Sequence, residues 1–316
     1  MSTILVPLDG SPLAEQALSH ACRLARIAKA KLLLVRAVAP VVDPDAGVIS
    51  RSSVQHAEVY LNTIREHLQT DGFTVEAVSL FSNPVPGILR VAKTHEASII
   101  VMSTHSRTGL RRMVLGSVTE QVVQESQVPV LVISGDSPSI AVGDRYRRIL
   151  VPLDGSRFAE AALDTIKELR VNDGAEIVLL RSVQPPASGS LQGRGPTPDL
   201  DRHQGEARHY LGQVAAGMPE GHTYRALAPI EHPANAIHMA VTDLDIDLIV
   251  IATHTRRGRV RFSPTSVAGQ VLQDTGTPVL IVRGIDEVEQ APKSILPDVE
   301  QSESEEDNYC DDFLFV

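Results

Sequence analysis

Short apolar runs alternate with stretches whose apolar residues recur every three or four positions, and this alternation predicts strand, helix, strand, helix throughout the chain. Ile4-Leu5-Val6 stops at Pro7 and Gly10, the pattern of a buried parallel strand running into a turn. Beyond it Leu13, Ala14, Ala17, Leu18, Ala21, Leu24 and Ala25 make one helical stripe, with Ser11 placed to cap it and Pro12 at its first position. Residues 31 to 38 read as a second strand, and Val54, Ala57, Leu61, Ile64 and Leu68 share one face of a second helix. A weaker strand near 74 to 79, a helix over about 85 to 94, a strand at 98 to 102, a polar loop, a helix near Ser117 and a strand at 128 to 133 follow.

The pattern then repeats. Thr3 to Ser11 returns as Arg148 to Ser156, with Val-Pro-Leu-Asp-Gly-Ser intact, and Thr104-His105-Ser106-Arg107 returns as Thr253-His254-Thr255-Arg256. Val128-Pro129-Val130-Leu131 recurs as Thr277-Pro278-Val279-Leu280. Asp9 and Asp154 are 145 residues apart and Pro129 and Pro278 are 149 apart, so a whole domain has been duplicated with a four-residue insertion in the second copy. The second copy predicts strands at Ile149, 176 to 183, Tyr224, 248 to 251 and 279 to 282, and helices from Phe158, near Arg208, near Ala234 and from Ser266. Residues 184 to 196, rich in Pro, Gly and Ser, read as a mobile surface loop.

Strands apolar on both faces and alternating with helices imply parallel sheets covered on each side. The expected fold class is therefore α/β, with two tandem doubly wound, Rossmann-like domains, each a five-stranded parallel sheet. The expected boundaries are 1–134 and 147–284 for the domains, 135–146 for a linker and 285–316 for an acidic, disordered tail.

Composition changes this picture little. The chain is 43% hydrophobic and 22% charged, ordinary for a soluble protein, and no run approaches the roughly 20 apolar residues of a membrane span. Its net charge of -10 is local: residues 285–316 hold 11 of the 39 acidic residues and only Lys293 of the 29 basic ones. The rest balances, so no nucleic-acid surface is expected. Two cysteines, Cys22 and Cys310, and no signal peptide point to the cytoplasm. The terminal Phe313-Leu314-Phe315-Val316 reads as a docking peptide or a loose end.

In an open parallel sheet the ligand crevice lies beyond the carboxyl ends of the strands, where the winding reverses. The first and fourth strands flank that point, bringing Asp9 to the 103–106 loop and Asp154 to residues 252–255. An acidic residue there accepts hydrogen bonds from ribose hydroxyls, and a helix N-terminus offers amides to phosphate. That helix start is Gly116-Ser117-Val118-Thr119-Glu120 in the first copy, where Ser117 and Glu120 also stand at a capping-box spacing. Asp9 equally fits a turn residue that satisfies nearby backbone amides. His105 and His254 lack a nucleophile or paired carboxylate, and His20, His56, His67, His203 and His209 lack metal-ligand spacing, so neither a catalytic site nor a metal is assigned.

With its Pro-x-Asp-Gly-Ser turn, Thr-His-x-Arg loop, Gly-Ser helix start and closing Pro-Val strand, the chain resembles a tandem universal stress protein over residues 1 to about 284. That resemblance implies an adenine nucleotide alpha hydrolase-like fold and a stress-response regulator rather than an enzyme. It implies ATP or a related adenine nucleotide in the cleft, with Asp9 near the sugar and backbone at Ala37 near the base. Nucleotide-binding members carry Gly-x2-Gly-x9-Gly-[Ser/Thr] after the fourth strand. The pattern falls on Ser103, Ser106, Gly116 and Ser117 here, and on Ala252, Thr255, Thr265 and Ser266 in the second copy. Val118 follows the first phosphate turn, Arg107 stands in its loop, and Asp154, Thr255 and Ser266 are the second copy's candidates. Side chains at glycine positions fill space where backbone should approach phosphate. ATP is therefore expected in the first domain and a degenerate site in the second; the alternative is an interaction module with decayed clefts. Family members dimerise through the last strand, so residues 130–133 should pair with 279–282 as a pseudo-twofold, with a homodimer of chains and regulatory protein partners possible.

Overall fold

Residues 2–39, 51–104, 115–135, 145–168, 174–184, 198–219, 222–253, 255–256, 259–260 and 265–284 are described by the computed structural model. The interdomain segment apart from Gly135, Arg145 and Tyr146, the Pro/Gly/Ser-rich stretch from 185 to 196 and the acidic tail lie outside the described residues.

The first copy runs β1 (Thr3–Pro7), α1 (Pro12–Ala28), β2 (Lys31–Val38), α2 (Arg51–Thr70), β3 (Val75–Phe81), α3 (Pro84–Thr94), β4 (Ala97–Thr104), α4 (Ser117–Glu125) and β5 (Val130–Ser134). The second runs β6 (Arg148–Pro152), α5 (Arg157–Glu168), β7 (Glu176–Leu180), α6 (Pro198–Ala216), β8 (Thr223–Leu227), α7 (Pro233–Asp243), β9 (Leu248–Thr253), β10 (Thr255–Arg256), β11 (Arg259–Val260), α8 (Val267–Asp274) and β12 (Val279–Arg283). Only the two-residue strands β10 and β11, an antiparallel pair, have no counterpart in the expected order.

All remaining strands join one ten-stranded sheet, ordered β3-β2-β1-β4-β5-β12-β9-β6-β7-β8. Within each copy the pairing is parallel, and β5 meets β12 antiparallel with Leu131 opposite Leu280. Two doubly wound lobes are thus joined through their last strands, as expected. Strand residues alternate between two apolar layers, each continuous across that joint. Ile4, Val6, Leu131 and Leu280 face the layer under α1, α2, α5 and α6; Leu5, Val130, Val132 and Val279 face the layer under α3, α4, α7 and α8.

Where the copies meet, Tyr146 is fully buried, and the Arg23 guanidinium of α1 lies 5.0 Å from its ring centroid. The expected linker therefore ends in a packed residue. No helix among the described residues is long and apolar enough to cross a membrane.

Candidate functional site

Strand order reverses between β1 and β4, and the chain on both sides of that break is held in place by side-chain bonds. After β1 the backbone turns at Gly10, whose φ of +91° favours a residue without Cβ. The Ser11 amide donates to Asp9 Oδ1 at 2.8 Å, and the Ser11 hydroxyl accepts from the Ala14 amide at 3.1 Å, capping α1. Asp9 thus satisfies a turn amide and still lines the crevice. Partial burial alone would raise its carboxyl pKa, but hydrogen bonds from Ser11 and the charge of Arg36 more than offset this, and the net shift is downward.

Across the break, the Gly116 amide donates to Thr104 Oγ1 at 3.1 Å, and the Thr119 hydroxyl donates to the Ser103 carbonyl at 3.1 Å. Together these bonds hold the start of α4 against the end of β4. A cavity of about 260 Å³ results, with Asp9, Ala37, Ser103, Gly116, Ser117 and Val118 all in its lining. Ser103 lines it, while its Oγ is buried with no hydrogen-bond partner among the described residues. Such a buried hydroxyl carries a desolvation cost.

The expected capping box at α4 is not formed. The helix starts at Ser117 with Gly116 as its N-cap, no side chain caps it, and Glu120 Oε1 accepts from Gln124 Nε2 instead. Ser117 sits one residue too far into the helix for its hydroxyl to reach back over the first turn. The second copy differs by that single position. Its helix starts at Val267, so Ser266 becomes the N-cap and accepts from the Gly269 amide at 3.1 Å.

In the second copy the cavity is larger, about 630 Å³, and Asp154, Arg181, Ser182, Ala252 and Ser266 line it. Asp154 Oδ1 accepts from both the Ser156 amide at 2.9 Å and the Ser156 hydroxyl at 2.6 Å. Thr255 stands on β10, paired with Val260. Ser106, Arg107, His105 and His254 lie outside the described residues. Among the described residues no group of three or more His, Cys, Asp or Glu is gathered as metal ligands would be.

The universal stress protein family model matches residues 1–134 and again residues 145–283, most of the chain. The chain belongs to the universal stress protein family. A universal stress protein of Mycobacterium tuberculosis is 26% identical over 213 residues, 66% of this chain and 69% of its own length. One from Mycolicibacterium smegmatis is 24% identical over 291 residues, 89% of this chain and 96% of its own. A solved universal stress protein of Archaeoglobus fulgidus superposes with a TM-score of 0.71 at 19% identity, covering 89% of this chain and 98% of that one, which shows the fold.

For a universal stress protein, one set of residues beside the cavities escapes motif reading. Arg36 on β2, Tyr60 on α2 and Glu15 on α1 form a stack under the Asp9 turn, and Arg181, Tyr210 and Glu160 repeat it under Asp154. No spacing rule joins residues from three elements. Matching the two copies position by position would have found the Glu and Arg, since Glu15/Glu160 and Arg36/Arg181 keep the offset of Asp9/Asp154, but not the tyrosines, because Tyr60 and Tyr210 do not keep it.

Proposed function

We propose that this universal stress protein is a regulatory binding protein that takes an adenine nucleotide in the cavity of its first copy and does not turn it over. The observation that carries this reading is the convergence of two complementary groups on one cavity: the Asp9 carboxylate and the amides of an α4 start that no side chain caps. A carboxylate suits a sugar's hydroxyl pair, and an uncapped helix start suits phosphate. The cavity is just under the roughly 300 Å³ at which small-molecule sites begin. It therefore accommodates base and sugar at Ala37 and Asp9 and leaves the phosphates at its rim over Ser117 and Val118.

In the second copy the larger cavity is the weaker phosphate site. Ser266 already occupies an amide of the first turn, Thr265 stands where the first copy has Gly116, and Ala252 replaces the hydroxyl of Ser103. These features favour a structural or interaction role for that lobe.

The test is mass spectrometry of nucleotide released from freshly purified protein, with calorimetry of added ATP, ADP and AMP. Near one nucleotide per chain, lost in Asp9→Ala and retained in Asp154→Ala, is the expected outcome. Protein that is empty and ignores all three nucleotides would refute the reading in favour of the interaction module.

A further inference from the structure

Beneath each first turn the same four residues lie in the same order. In the first copy the Arg36 guanidinium rests against Gly10, where an added Cβ would stand 3.0 Å from Nη1. The guanidinium also lies over the Tyr60 ring, 4.9 Å from its centroid, and Tyr60 donates its hydroxyl to Glu15 Oε1 at 2.9 Å. Glu15 belongs to the first turn of α1, so the stack begins and ends in the segment that carries Asp9. In the second copy a Cβ on Gly155 would stand 2.8 Å from Arg181, Arg181 lies 4.8 Å from the Tyr210 centroid, and Tyr210 donates to Glu160 Oε1 at 2.9 Å. Both glycines take the left-handed conformation, with φ of +91° and +95°.

The cavities themselves have diverged. Leu13, Ala37, Ser103 and Gly116 of the first have become Phe158, Ser182, Ala252 and Thr265 in the second, while the stack is unchanged. If fastening α2 to the turn were all that mattered, an apolar pair would serve without burying part of a charge. A guanidinium held on an aromatic face is partly desolvated, which strengthens its field on a carboxylate in the adjoining turn. That charge is among the causes that lower the Asp9 carboxyl's pKa. Burial first, and then the bond to Glu15, raise the Tyr60 phenol's, keeping it a donor.

We propose that Arg36 is a positioning residue: braced by Tyr60 and Glu15, it supports the Gly10 turn from below and presents the Asp9 carboxylate to the vicinal hydroxyls of a sugar. The sugar rests on the nucleotide reading above; the bracing of Asp9 does not.

Arg36→Met keeps the apolar stem and removes the charge, and Arg36→Lys restores the charge, both in the full chain with melting curves as folding controls. The ligand-independent readout is the carboxyl carbon-13 shift of Asp9 followed against pH. Its midpoint rises in Arg36→Met and returns toward the wild-type position in Arg36→Lys; a midpoint that ignores both changes overturns the proposal. In calorimetry, Arg36→Met weakens ATP about tenfold, the worth of one charge-assisted hydrogen bond, and leaves 2′,3′-dideoxy-ATP unchanged. Equal losses for the two ligands would mark Arg36 as structural and overturn it as well. Wild-type protein that binds neither ligand sinks the nucleotide reading alone, and the Asp9 titration still decides the role of Arg36.

Discussion

At the residue scale, His20 sits in the first apolar layer, 2% exposed, with its Nδ1 lacking a partner. Burial first, and the nearby Arg23 charge second, lower its pKa from 6.5 to about 4. The folded protein holds His20 neutral where the unfolded chain protonates it. Between pH 6.5 and 4 the unfolded state binds more protons, so stability falls as pH drops through that window. His20 alone contributes a loss of up to about 3 kcal/mol. Urea unfolding at pH 7 and pH 5 should show a smaller loss in His20→Gln than in the wild type; equal losses would mean the imidazole protonates freely in place. The sequence shows His20 only as a polar residue beside a helical stripe. Its burial is a tertiary property, on a helix whose Arg23 packs over Tyr146 from beyond the first copy. Asp9, Ser103, Gly116, Ser117 and Val118 could be placed together from the sequence because they stand near a strand's carboxyl end or a helix start, which the topology gathers, whereas Ala37 came from the family resemblance; all six line the one cavity. Arg36 and Tyr60 were not, since their contact is made between elements that the chain's local pattern leaves unconnected.

Elements show how one position of register changes what a helix start offers. α4 and α8 carry the same Ser at equivalent sequence positions, yet Ser117 is the first helical residue and Ser266 is a cap. Periodicity cannot resolve that difference, because a helix boundary read from an apolar stripe is uncertain by a residue or more. It follows that Ser266→Ala should cost about 1 kcal/mol of stability, the usual worth of an N-cap hydroxyl, whereas Ser117→Ala should cost only a few tenths. Denaturant midpoints measure both, and equal costs would contradict the assigned caps. The short β10–β11 pair was invisible for another reason: two residues per strand leave no apolar run or alternation to read. The strands with continuous apolar runs were the most legible elements, with β2 spanning the residues expected of it.

For the molecule as a whole, the antiparallel joint decides whether two lobes behave as one body. Repeated apolar strands at the end of each copy made the joint legible, because an uncovered apolar edge invites pairing and a second copy lies in the same chain. Val132 lies opposite Val279, and Leu280 opposite Leu131; all four are essentially buried. Each also pairs inward, Val132 with Met102 and Leu280 with Val250, so the joint and the two sheets share the same strands. Proline at either position removes a backbone donor and clashes in a strand with neighbours on both sides. Val132→Pro or Leu280→Pro should therefore lower the unfolding midpoint and enlarge the hydrodynamic radius as the lobes separate. Val59→Pro would be a poor control, because it breaks a helix; Val59→Ser, on an exposed face of α2, should leave both readouts near wild type. If the strand variants keep the wild-type radius and unfold in a single unshifted transition, the lobes are held by something other than β5 and β12. If the radius grows while each lobe still unfolds cooperatively, the sheet is two domains fastened along one seam.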